Sequence, residues 1–126
     1  MLAKIVNRIR NGYMVYHNTV SFEEVRFCTE ILDILREENF IGGYTKTKEG
    51  QIEVLLRYPE GSQGCTKLVV LSRPRHRLYL SSLDLYRVSQ KFGILGVLIV
   101  STPKGIMTSE KAVLKGLGGE MLVYAS

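Results

Sequence analysis

The chain has 126 residues, 45% of them hydrophobic and 23% charged, enough apolar material for a buried core and too much for a disordered tail. The net charge of +5 is uneven: residues 1–61 carry 8 basic and 9 acidic side chains, residues 62–126 carry 9 and 3, so an anionic partner is expected to meet the second half. Two cysteines, Cys28 and Cys65, exclude a disulfide framework or a CxxC-type metal site, and no apolar run reaches the ~18 residues of a membrane span; a soluble protein of a reducing compartment, with no membrane partner, is expected.

Leu2, Ile5, Val6, Ile9 and Tyr13 recur at three and four residues with Lys4, Arg8 and Arg10 opposite, which predicts a first helix stopped by Asn11-Gly12. Ser21 followed by Glu24 resembles a capping box, and Val25, Cys28, Ile31, Leu32 and Leu35 predict a second helix running to about Asn39. Residues 44–46 and 51–58, joined by Glu49-Gly50, alternate as a hairpin. PEGSQG (59–64) is the expected hinge or long turn.

In the second half, residues 67–71 and 78–80 form short strands around the basic loop SRPRHR (72–77), and residues 83–92 allow a short helix. Residues 96–100 are the most apolar strand, which implies cover on both faces. Ser109 is expected to cap a short helix over 110–115 that GLGG (116–119) ends, and 121–124 return as a terminal strand. The fold class is α+β with two small lobes: a helix-helix-hairpin lobe over 1–62 and a basic, mainly β lobe with short helices over 63–126.

No catalytic constellation emerges. His17 and His76 lie in different lobes among loop-type residues, and the carboxylates fall mostly on the outer face of the second helix, the usual place for solvated charge. No spacing matches a metal-ligand pattern, and no cofactor is expected. GLGGE (116–120) invites a weak alternative, a small enzyme that cradles a phosphate ligand. It lacks the Walker lysine-hydroxyl ending and precedes a strand where such loops open a helix.

Polyanion binding accounts for more of the sequence. STPKG (101–105) offers the hydroxyls of Ser101 and Thr102, a turn fixed by Pro103, the charge of Lys104 and close approach at Gly105; a capped strand-to-helix turn explains the same residues about equally well. Gly118 and Gly119 would let an RNA backbone lie close and Glu120 would accept from a base amino group or a 2′-hydroxyl, although a helix stop is the commoner cause of paired glycines. Arg73, Arg75 and Arg77 alternate along an extended stretch. No strand is rich in aromatics, so base stacking is not expected and a folded RNA, recognised by shape, ribose and phosphate, is.

RIRNG (8–12), REENFIGG (36–43), SRPRHRLY (72–79), STPKGIMT (101–108) and GLGGEMLVY (116–124), in this order, resemble the small ribosomal subunit protein eight family of bacterial or organellar type. The resemblance implies a non-enzymatic ribosomal protein, monomeric within the ribosome. It implies primary binding to the central domain of the small-subunit rRNA, neighbours among small-subunit ribosomal proteins, and in some bacteria binding of its own messenger RNA. By resemblance the RNA contacts fall on Ser101, Thr102, Lys104, Gly105, Gly118, Gly119 and Glu120, on Arg8, Arg10 and Asn11 at the end of the first helix, and on Arg77 and Tyr79. Pro103 stands where the family has a second serine and Arg75 where it has glycine. That drift suggests an organelle-encoded, mitochondrial protein, with a divergent bacterium as the alternative.

Overall fold

The computed structural model describes residues 2–25, 27–58, 67–72, 77–92 and 96–126. The expected hinge at 59–64, Cys65, Arg73, Arg75 and His76 lie outside the described residues. The chain divides into two compact units, Met1–Leu68 and Val69–Ser126.

The first unit runs α1 (Leu2–Met14), β1 (Thr19–Glu23), α2 (Cys28–Glu37), β2 (Ile41–Lys46) and β3 (Gln51–Leu56). Its antiparallel sheet has the order β1-β3-β2, so β3 is central. Ile52, Val54 and Leu56 alternate with exposed neighbours and turn one face of β3 to a core shared with Ile5, Val6, Ile9 and Tyr13 of α1 and Ile31, Leu32 and Leu35 of α2. Of the two expected helical stripes, Ile5, Val6, Ile9 and Tyr13 and Cys28, Ile31, Leu32 and Leu35 are buried, while Val25 is half-buried and precedes α2.

Two expectations fail here for local reasons. The first helix passes through Asn11-Gly12, because Gly12 serves packing: a Cβ there would meet Val20 Cγ1 at 2.5 Å and Leu56 Cδ1 at 2.9 Å. The stop comes at Tyr16, in the left-handed region with φ 57°; the Tyr16 N–H donates to the Tyr13 carbonyl and the His17 N–H to the Gly12 carbonyl. The same closing pair recurs at Asn39 after α2 and at Gly116 after the last helix, so one device ends three helices. Ser21 and Glu24, expected as a capping box, lie elsewhere: Ser21 sits in β1 opposite Glu53, and α2 begins after Phe27 with no side-chain cap. Only Phe22 of β1 is buried, so its strand alternation is too short to outweigh the cap-like spacing.

The second unit holds β4 (Leu68–Val70), β5 (Tyr79–Leu80), α3 (Ser82–Phe92), β6 (Val97–Thr102), β7 (Gly105–Thr108), α4 (Ser109–Leu114) and β8 (Gly119–Ala125). The strands form one sheet in the order β4-β8-β6-β7, with β5 also paired to β8. Leu98, Ile99 and Val100 are buried in succession, which requires cover on both faces of β6, as their composition implies. On one face Leu98 and Val100 pack with Leu85 of α3, Met107 and Ala112. Thr108, not Ser109, caps α4: its hydroxyl accepts from the Lys111 N–H, while Ser109 is buried with its hydroxyl 3.1 Å from that of Ser89 on α3.

Candidate nucleic-acid interface

STPKG is a hairpin turn between two strands rather than the lead into a helix. β6 and β7 pair Thr102 with Gly105, which leaves Pro103 and Lys104 at the exposed tip. Proline fixes its own φ there, and Gly105 takes φ 117°, a value that disfavours any side chain. The Thr102 hydroxyl donates to the Gly105 carbonyl at 2.8 Å and accepts from the Lys104 N–H at 3.2 Å. Buried and engaged on both sides, it braces the turn, while Ser101 beside it is half-buried.

The two stretches singled out in the sequence meet edge to edge. Ser101 of β6 lies opposite Glu120 of β8, and on the other edge of β8 Glu120 lies opposite Tyr79 of β5. Directly opposed residues share a face, so Tyr79, Glu120 and Ser101 form one row across three strands. Tyr79 is 65% exposed; Glu120 and Ser101 are half-buried. The Arg77 guanidinium is exposed at the end of this row. Its hydrogen bond to the Tyr79 hydroxyl, chiefly, and then the charges of Tyr79 and Glu120 raise its pKa.

The glycines explain the tightness of this row. A Cβ at Gly119 would overlap the Ser101 carbonyl, and one at Gly118 would meet the Leu80 carbonyl oxygen at 2.5 Å and the Ser82 nitrogen at 2.9 Å. Only Gly116, at φ 68°, does what a helix stop requires. Gly118 and Gly119 thus let the chain approach itself, and in doing so bring Glu120 beside Ser101. The segment opens a strand, which leaves the phosphate-cradling enzyme reading without support.

Arg8, Arg10 and Asn11 are exposed on α1 in the first unit. Arg8 reaches the Ser21 carbonyl at 3.5 Å, and Arg10 donates to Asn7 Oδ1 at 2.7 Å. The row supplies hydroxyl donors, a carboxylate acceptor and, at Arg77 and Lys104, cations; this suits hydrogen bonding to ribose, bases and phosphate. Sequence reasoning missed an aromatic stack in the first unit, Tyr13, Tyr58 and Tyr16. Tyr13 and Tyr16 stand three apart, a visible pairing, but the third ring comes from 42 residues on in the chain.

The family model described as ribosomal protein S8 matches residues 1–125. The small ribosomal subunit protein uS8 of Variovorax paradoxus is 38% identical over 128 residues, covering 99% of this chain and 95% of that protein. The protein of the same name from Dehalococcoides mccartyi is 39% identical, covering 96% and 93%, and that from Syntrophomonas wolfei 36%, covering 98% and 94%. A two-unit α+β chain with a matched family of this kind is in the class of ribosomal proteins, structural rather than enzymatic. Within that class the chain belongs to the ribosomal protein S8 family. These relatives are bacterial, and the mitochondrial expectation draws no support from them.

Proposed function

We propose that the chain is a structural constituent of the small ribosomal subunit in a bacterial cytoplasm and a primary binder of the central domain of its rRNA, which it helps to organise during assembly. Family membership and the names of the relatives support the subunit; one observation carries the RNA reading, the row Arg77–Tyr79–Glu120–Ser101 closed by Gly119 beside a braced, cation-tipped hairpin. A preformed row loses little conformational entropy on binding, so its hydrogen bonds choose the site while Lys104 and Arg77 supply salt-sensitive attraction. Arg73 and Arg75 add to the same basic segment, and Arg8, Arg10 and Asn11 touch RNA from the first lobe. That lobe, residues 1–62, carries the acidic outer face of α2 toward solvent or a neighbouring ribosomal protein; the basic lobe, 63–126, carries the principal site.

Filter binding to a central-domain rRNA transcript, with unrelated RNA in excess as competitor, tests the proposal. Retention of the complex under competition is the expected result, with Ser101→Ala and Glu120→Gln weakening discrimination more than total binding. Equal affinity for both RNAs would overturn it. The protein's own messenger RNA belongs in the same assay as a second candidate ligand.

A further inference from the structure

We infer that Tyr16 is a stacking platform for an unpaired nucleobase, a contact separate from the hairpin-and-strand row of the second unit. The inference rests on the reading that this chain binds RNA.

Three tyrosines of the first unit are built into a tower. Tyr13, 2% exposed, forms its base: its hydroxyl donates to the Phe40 carbonyl and accepts from the Arg57 N–H at 3.2 Å. Tyr58 stands edge-on to it, with ring centroids 5.3 Å apart at 70°, and its hydroxyl lies 2.7 Å from the His17 carbonyl and 3.2 Å from that of Gly12. Tyr16 stacks on Tyr58 at 5.6 Å and 28° and remains 64% exposed. The underlying hydroxyls are thus tied to the main chain, and the top ring sits on a fixed support.

The backbone at Tyr16 bears on the same point. It closes α1 in the left-handed region, at φ 57°, where glycine or asparagine is ordinarily preferred. A tyrosine there is a local liability for folding, and its ring is largely in water. The chemistry around it selects the partner. The first 22 residues hold Lys4, Arg8, Arg10 and His17 and no carboxylate. Arg10 and Asn11 lie one helical turn before the exposed Met14 and Val15. An exposed ring on a fixed support, in a segment whose charged side chains are all basic, suits a nucleotide, whose base stacks while its phosphate is drawn to that positive charge.

Tyr16→Asn separates this role from folding, since asparagine tolerates the left-handed backbone and removes only the ring. The full chain, the Tyr16→Asn variant and Tyr16→Trp are titrated with the central-domain rRNA transcript, with melting temperatures measured alongside. The inference predicts a loss of about tenfold in affinity for Tyr16→Asn, with a melting temperature equal to or above that of the parent, and recovery in Tyr16→Trp. Unchanged affinity in Tyr16→Asn, with the parent bound tightly, would overturn the inference alone and leave the RNA reading standing. Failure of the parent chain to bind the transcript would overturn both.

Discussion

Replacing Gly118 by alanine asks whether the paired glycines are there for conformation or for space. An added Cβ at this position faces the Leu80 carbonyl oxygen at 2.5 Å, the Ser81 carbonyl carbon at 2.9 Å and the Ser82 nitrogen at 2.9 Å. Ordinary contact for such atoms is about 3.5 Å, and all three belong to main chain at the junction of β5 and α3, so no rotamer change relieves the overlap. The junction must move outward by close to an ångström, which strains the β5–β8 pairing of Tyr79 with Glu120 and Leu80 with Gly119. Overpacking of this kind costs about 1–3 kcal/mol, and with only backbone to yield the upper part of that range is expected. Gly116→Ala is the control: at φ 68° with open space around it, it meets strain of about 1 kcal/mol and no overlap, and Gly116→Asn should cost less still. The chain has no tryptophan, so urea unfolding followed by far-ultraviolet circular dichroism is the suitable assay. A Gly118→Ala protein as stable as Gly116→Ala, or within about 0.5 kcal/mol of the parent, would refute the reading of these glycines as points of close approach.

Thr102→Val removes a buried hydroxyl that serves both the Gly105 carbonyl and the Lys104 N–H; a loss of about 1–2 kcal/mol in urea unfolding is expected, with Thr102→Ser close to the parent. Lys104→Ala, exposed at the hairpin tip, should lower the slope of log affinity for rRNA against log salt by roughly one unit and leave stability unchanged, read by filter binding across a salt series. Tyr44 donates to Asp33 Oδ1 at 2.7 Å, and this bond first, then burial and the Asp33 charge, raises its pKa. The unfolded chain therefore releases that proton first, so the contribution is complete below pH about 10 and is lost as pH rises through the folded value; Tyr44→Phe should flatten the alkaline decline in stability, measured by urea unfolding at successive pH values.

The stripes and alternations that define core faces were legible because burial imposes their periods directly: Ile5, Val6 and Ile9 on α1, Ile31, Leu32 and Leu35 on α2, and Ile52, Val54 and Leu56 on β3. Local punctuation was less legible. Asn11-Gly12 has the composition of a helix stop, yet Gly12 is small because Val20 and Leu56 cross there, a demand from residues 8 and 44 positions further along the chain. Tyr16 ends the helix instead, in a conformation nothing in its own chemistry favours, and its ring stacks on Tyr58 from far along the chain. The same limit hid the row at the candidate site. Its members were visible separately, Ser101 and Glu120 in turn-like segments and Tyr79 in a short strand that the family resemblance singled out, but their register depends on β8 lying between β5 and β6.

Pro103 shows how a departure from the family pattern is absorbed. A serine there would offer one more hydroxyl to RNA, and proline offers neither that group nor an N–H. The turn does not need either, since Thr102 supplies the donor to the Gly105 carbonyl and the acceptor for the Lys104 N–H from within β6. What proline contributes is a fixed φ at the exposed tip, which reduces the freedom the hairpin must lose when it meets a partner. On the RNA-binding reading, the departure exchanges a contact for rigidity and leaves the hydroxyl chemistry of the loop to Ser101. Ser101 faces Glu120 across the strand pair, so on the RNA-binding reading those two side chains carry site choice together, and a Ser101→Ala, Glu120→Gln double variant should show less than the sum of its single losses.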